Sequence, residues 1–303
     1  MKDAIYAEDL HVRYRSKKGA SIEAVKGLSF TVTPGEVVGF LGPNGAGKSS
    51  TLKALMGFVE PCGGVCRLFD EPAGSIQSKR RIGYLPEVAL YYPFLTPLET
   101  LTLYGELQGL SGKSLRAEAL ELLELVGLTA AMSKQNRSLS KGMLQRVGIA
   151  QSLLGKPELL ILDEMTSGLD PLGRKELRHL LKERQKQGCT LFFSSHELSE
   201  VEMLCDRILL IHKGKLVEER TIPELKQELR RYAVTYSGHV SLLDLTSEWK
   251  EVGANVFEAQ FHAKQALIHA IDRVHEKCGV ILDVVAQEGS LEDYFVETIA
   301  RAA

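Results

Sequence analysis

Gly42-Pro43-Asn44-Gly45-Ala46-Gly47-Lys48-Ser49-Ser50 fits the pattern G-x-x-x-x-G-K-[ST], and it lies between an apolar run and a helical stretch. Residues 36–41 (EVVGFL) read as a short buried strand, and residues 49–58 (SSTLKALMGF) as the helix that follows. Glycines in such a turn let successive backbone N–H groups converge on one phosphate. The helix beyond contributes its own unpaired N–H groups and the positive end of its dipole. Lys48 is placed to reach the β- and γ-phosphates, and Ser49 to set its hydroxyl on Mg²⁺. The stretch from Gly42 to Ser50 therefore predicts a nucleoside-triphosphate site.

A second apolar run supports this. Residues 158–163 (ELLILD) place four consecutive apolar side chains before two carboxylates, Asp163 and Glu164. Such a run predicts a strand buried on both faces, as in a parallel sheet. Ligands of open α/β sheets bind at the carboxyl ends of the strands, where Asp163 emerges. There Asp163 is expected to hold the Mg²⁺ shell, mainly through water. Glu164 is the expected base, polarising a water in line with the γ-phosphate.

Five further segments resemble the ATP-binding subunits of ABC transporters. Tyr84-Leu85-Pro86-Glu87 is similar to the family's glutamine loop, with Glu87 where the amide usually stands. Leu139-Ser140-Lys141-Gly142-Met143 resembles the family signature; Ser140 and Gly142 match it, whereas Lys141 and Met143 depart from it. Ser167-Gly168-Leu169-Asp170 matches the D-loop. Ser195-His196, after a strand expected over residues 189–194 (CTLFFS), matches the switch histidine. Tyr14 sits where the family places an aromatic ring under adenine, just before the loop over residues 15–21. The resemblance spans roughly residues 4–220.

It implies an α/β fold with a P-loop NTPase core, an N-terminal antiparallel β subdomain and a helical subdomain. It also implies Mg²⁺-dependent hydrolysis of ATP, with Glu164, His196 and Lys48 as the catalytic groups. Tyr14, Glu87, Ser140, Gly142 and Asp170 would join the phosphate loop in holding nucleotide, and Ser49, Asp163 and Glu87 would hold the metal. Ser140 and Gly142 would serve the nucleotide of an opposite subunit, so that a homodimer completes two sites. The departures at Lys141 and Met143 resemble those of one exporter branch, whose permeases are separate chains.

The rest of the chain fits this picture. At 303 residues it exceeds one average domain. With 37 basic against 39 acidic residues it shows no broad basic face for nucleic acid. Its five cysteines form no disulfide framework and read as free thiols of a reducing compartment. The N-terminal residues carry no apolar core of signal-peptide length, and no stretch approaches 18 apolar residues. Transport would therefore need a membrane partner, and this chain would act at the cytoplasmic face. The rival readings are a soluble ABC ATPase of translation, repair or chromosome organisation, and an importer subunit. A single phosphate loop and the lack of long heptads weigh against the soluble class.

The ATP-binding domain is expected over residues 1–222, with its helical part at about 88–156. Thr96-Pro97-Leu98-Glu99 is a helix start with a capping box and Pro at the first helical position. Residues 114–126 carry helical apolar spacing, and Gly127 ends them. The preceding run, residues 88–95 (VALYYPFL), reads equally as core packing or as the wall of a groove for a permease helix. Residues 223–303 read as a small α+β domain, with strands at 232–236, 255–261 and 279–286 and helices at 263–277 and 290–300. Its last segment (GSLEDYFVE) resembles the tail of exporter subunits with separate permeases.

Overall fold

The structure is a computed structural model that describes residues 3–15, 21–238, 245–246 and 248–302. Most of the loop expected after Tyr14, residues 16–20, lies outside the described residues. The chain divides into two compact units, Met1–Arg220 and Thr221–Ala303.

The first unit holds, in order, β1 (Ile5–Arg15), β2 (Ser21–Val32), β3 (Val37–Leu41), α1 (Lys48–Leu55), β4 (Gly63–Leu68), β5 (Glu71–Pro72), α2 (Ile76–Lys79) and β6 (Ile82–Leu85). Then come α3 (Pro97–Leu107), α4 (Gly112–Leu125), α5 (Lys141–Ser152), β7 (Leu159–Asp163), α6 (Pro171–Lys186), β8 (Thr190–Ser195), α7 (Leu198–Leu204), β9 (Arg207–His212) and β10 (Lys215–Thr221). One sheet, ordered β2-β1-β4-β5, is antiparallel. The other is ordered β10-β9-β3-β8-β7-β6 and is parallel from β9 to β6.

Every residue of β3, β7 and β8 is buried. This is why their sequences are nearly continuous apolar runs rather than alternating ones. The two sheets share a core in which Phe30 of β2 stacks on Phe192 of β8 at 5.5 Å between ring centres. Phe40 of β3 lies against both rings, at 6.1 and 5.3 Å.

Register then decides where the chemistry lies. Leu41 pairs with Ser195, and Asp163 with Ser194. Because β3, β8 and β7 are neighbours, the loops leaving their carboxyl ends emerge side by side.

Helix α1 stops at Leu55, three residues short of the expected end, because Gly57 takes a left-handed φ of +70° and turns the chain away. The capping box of α3 forms in full: the Thr96 hydroxyl accepts the Glu99 N–H, and the Glu99 carboxylate accepts the Thr96 N–H. Gly127, at φ +71°, ends α4. Helices α3, α4 and α5 pack on one another, and Leu101, Leu115, Leu122 and Val147 on them are buried.

The second unit holds α8 (Ile222–Leu229), β11 (Arg230–Ser237), β12 (Trp249–Gly253), β13 (Val256–Phe261), α9 (Lys264–Glu276), β14 (Val280–Glu288) and α10 (Leu291–Arg301). Its sheet is antiparallel, ordered β12-β13-β11-β14. Leu267, Ala270 and Val274 of α9 cover Val234, Tyr236, Ala259 and Phe261. Two elements are additional to those read from the sequence. Strand β12 is exposed along its whole length, so no apolar alternation marks it. Helix α8 begins with a second full capping box, Thr221 with Glu224, around Pro223.

Candidate nucleotide-binding site

The loop between β3 and α1 is left-handed at Gly42, Gly45 and Gly47. At Gly47 (φ +115°) a Cβ would stand 2.6 Å from the Ala24 carbonyl oxygen, and at Gly42 it would stand 2.2 Å from that of Ile211. No side chain fits at either place, so the loop is pressed against its neighbours and its shape is set. Lys48 opens α1 with its side chain buried, and its Nζ donates to the Gly42 carbonyl at 2.5 Å. Burial pulls the Lys48 ammonium below the usual lysine range, while the carboxylates of Glu164, Asp163 and Glu87 pull it back up. Burial and the three nearby carboxylates thus act on the ammonium in opposite directions.

That cleft has a volume of about 550 Å³. Its wall includes Tyr14, Ala24, residues 43–50, Glu87, Glu164, Ser167 and His196. Six stretches far apart in the sequence thus meet around one space.

Asp163 is buried beneath the cleft, and its Oδ1 accepts the Ser194 hydroxyl at 2.5 Å. Glu164 has φ +50°, a conformation that costs a non-glycine residue about 1–3 kcal/mol. Three contacts hold this kink. The Glu164 N–H donates to Ser194 Oγ at 3.1 Å, its carbonyl accepts the Ser167 N–H at 3.1 Å, and the buried Gln145 amide donates to the next carbonyl, that of Met165. The kink turns the Glu164 side chain toward His196, whose Nδ1 lies 2.6 Å from Glu164 Oε2. The His196 side chain is 66% exposed and that of Glu164 only 14%, so the imidazole closes the carboxylate in from the open side.

For a divalent metal the chain offers Ser49 and Glu87, both on the cleft wall, and the buried carboxylate of Asp163. No group of three or more His, Cys, Asp or Glu that could hold a metal occurs among the described residues. One hydroxyl and few carboxylates fit Mg²⁺, which keeps waters and takes its remaining ligands from substrate phosphates.

Ser140, Gly142 and Asp170 are not on the wall of this cleft. Ser140 caps α5 by accepting the Met143 N–H at 3.2 Å, and Asp170 caps α6 by accepting the Gly173 N–H at 2.8 Å. A Cβ on Gly142 would stand 2.8 Å from the Gly168 carbonyl oxygen, so the start of α5 and the loop 167–170 lie against each other. Sequence reasoning passed over Ala24 and Ser194. Ser194 is a hydroxyl in an otherwise apolar strand, a visible signal, but its partner depends on the register of β8 with β7.

A family profile described as "ABC transporter" matches residues 25–167. The bacitracin transport ATP-binding protein BcrA of Bacillus licheniformis is 36% identical, across 99% of this chain and 98% of that protein. The fluoroquinolones export ATP-binding protein MT2762 of Mycobacterium tuberculosis is 35% identical, across 95% of this chain and 91% of that protein. Among solved structures, the bacterial ABC transporter cassette MJ0796, solved as a dimer, is 25% identical with a TM-score of 0.67. It covers 72% of this chain, and 98% of its own chain is matched.

Proposed function

We propose that this chain, which belongs to the ATP-binding subunits of ABC transporters, works as one half of a head-to-tail homodimer that powers export through separate membrane subunits. One observation carries the reading: the cleft wall brings together residues 43–50, Glu164 and His196, whereas Ser140 and Gly142 open a helix elsewhere. A helix start whose N–H groups have no intrahelical partner suits a phosphate. A second copy turned head to tail would bring it over this cleft. MJ0796 forms a dimer, which supports the arrangement.

In the proposed site the backbone N–H groups of residues 44–49 and the Lys48 side chain hold the phosphates, and Tyr14 stacks on the base. Ser49 and Asp163 would hold Mg²⁺, which when bound would supply positive charge to the phosphates. Glu164 takes the proton of the attacking water as its oxygen bonds to the γ-phosphorus; the bond from that phosphorus to the β–γ bridging oxygen breaks, and ADP and inorganic phosphate leave, while His196 holds the Glu164 carboxylate in line. Catalysis of this kind rests on positioning and charge. ATP favours the closed pair, and hydrolysis releases it.

The partner surface follows from the run before α3. Tyr91 turns inward and meets Tyr104 edge to face at 5.7 Å, while Val88, Leu90, Tyr92 and Phe94 are exposed. Leu90 is 83% exposed at a groove of about 800 Å³ whose wall also includes Phe58, Ile76 and Leu107. An apolar groove of this size suits a short amphipathic helix. No helix among the described residues is long and apolar enough to cross a membrane, so we assign the groove to a permease. Export is the direction named for the fluoroquinolones relative.

Affinity purification of the tagged chain from detergent-solubilised membranes tests this reading. A polytopic permease should be recovered, and Leu90→Asp should lower its recovery while ATP binding is kept. Recovery of soluble partners alone, with the chain absent from the membrane fraction, would overturn it.

A further inference from the structure

We infer that Ser194 is a positioning residue for hydrolysis, fixing the metal-side acid and the base with a single hydroxyl. The inference rests on the reading of Asp163 and Glu164 given above. Ser194 is fully buried in β8, between Phe40 of β3 and Asp163 of β7. Its Oγ has one proton and lone pairs to offer, and the geometry uses both functions. The proton goes to Asp163 Oδ1 at 2.5 Å, and a lone pair takes the Glu164 N–H at 3.1 Å.

The two contacts act on different parts of the site. The first gives a buried carboxylate a donor on one oxygen, so that the other would be the one offered to a metal's water shell. The second anchors the left-handed kink at Glu164, and the kink aims the carboxylate at His196. Neighbours in β8 cannot substitute. Phe193 has no polar group, and the Ser195 hydroxyl is engaged with the Glu197 backbone. Ser194 itself is absent from the cleft wall and does not touch the nucleotide space. Its effect should therefore fall on turnover and on metal use rather than on ATP binding.

The test compares Ser194→Ala and Ser194→Thr with the unaltered chain. Three quantities are read: kcat, the Mg²⁺ concentration for half-maximal activity, and the metal-free affinity for a fluorescent ATP analogue. Loss of such an outer hydrogen bond typically costs about 10–100-fold in activity or metal affinity. Ser194→Ala should show a fall of this size in kcat together with a raised Mg²⁺ requirement, and an unchanged metal-free affinity. Ser194→Thr, which keeps the hydroxyl, should restore both. An unaltered kcat in Ser194→Ala would overturn the inference, as would an equal loss in both variants accompanied by weaker metal-free binding, the mark of a packing role. If the unaltered chain itself showed no Mg²⁺-dependent turnover, the reading of the whole site would fall, an outcome distinct from the other two.

Discussion

Glu164→Gln should leave ATP bound and nearly stop its hydrolysis. Glutamine matches glutamate in shape and keeps an oxygen for His196, but it cannot take a proton from water. General-base catalysis contributes roughly 10²–10⁴-fold, and kcat should fall by that factor. ATP affinity should change little, because the Glu164 side chain borders the cleft but is aimed at His196 rather than the phosphate loop. Single-turnover phosphate release, read beside equilibrium binding of a fluorescent ATP analogue, separates the two effects. Retained turnover would move the base to another group.

Lys48→Ala should act on the opposite quantity. Its ammonium lies buried against the Gly42 carbonyl, at the floor of the cleft. A hydrogen bond to a charged group contributes about 1.5–3 kcal/mol, so ATP should bind roughly 10–150-fold more weakly. The fold should survive, since the glycine-shaped loop is held by its contacts with Ala24 and Ile211 rather than by Lys48. Titration with ATP and a far-UV spectrum distinguish weakened binding from unfolding. Unchanged affinity would mean that the phosphates lie elsewhere.

Much of this site could be read before the fold was known, for a definite reason. Strands β3, β7 and β8 are buried on both faces, so each shows as an apolar run whose end leads to a candidate site residue. The phosphate loop depends on glycines at left-handed positions, and glycine is visible as a letter. What stayed hidden depends on contacts across the sheet. Ser194 matters only because register sets it beside Asp163, and Ala24 matters because β2 brings its carbonyl against Gly47. The kink at Glu164 has no marker of its own, since a glutamate at φ +50° looks like any other glutamate. Strand β12 was missed for the opposite reason: an edge strand exposed throughout carries no burial pattern.

The same division applies to the residues that lie apart from the cleft. Ser140 and Asp170 are ordinary helix caps within one chain. Their proposed work needs a second copy, a relation that neither the sequence nor a single protomer's geometry contains.

Sedimentation equilibrium of the Glu164→Gln chain with and without Mg·ATP tests the proposed pairing most directly. The chain should be a monomer without nucleotide and, with ATP, a dimer holding two ATP molecules that Ser140 substitutions weaken. A monomer at saturating ATP, or a dimer indifferent to nucleotide, would contradict it.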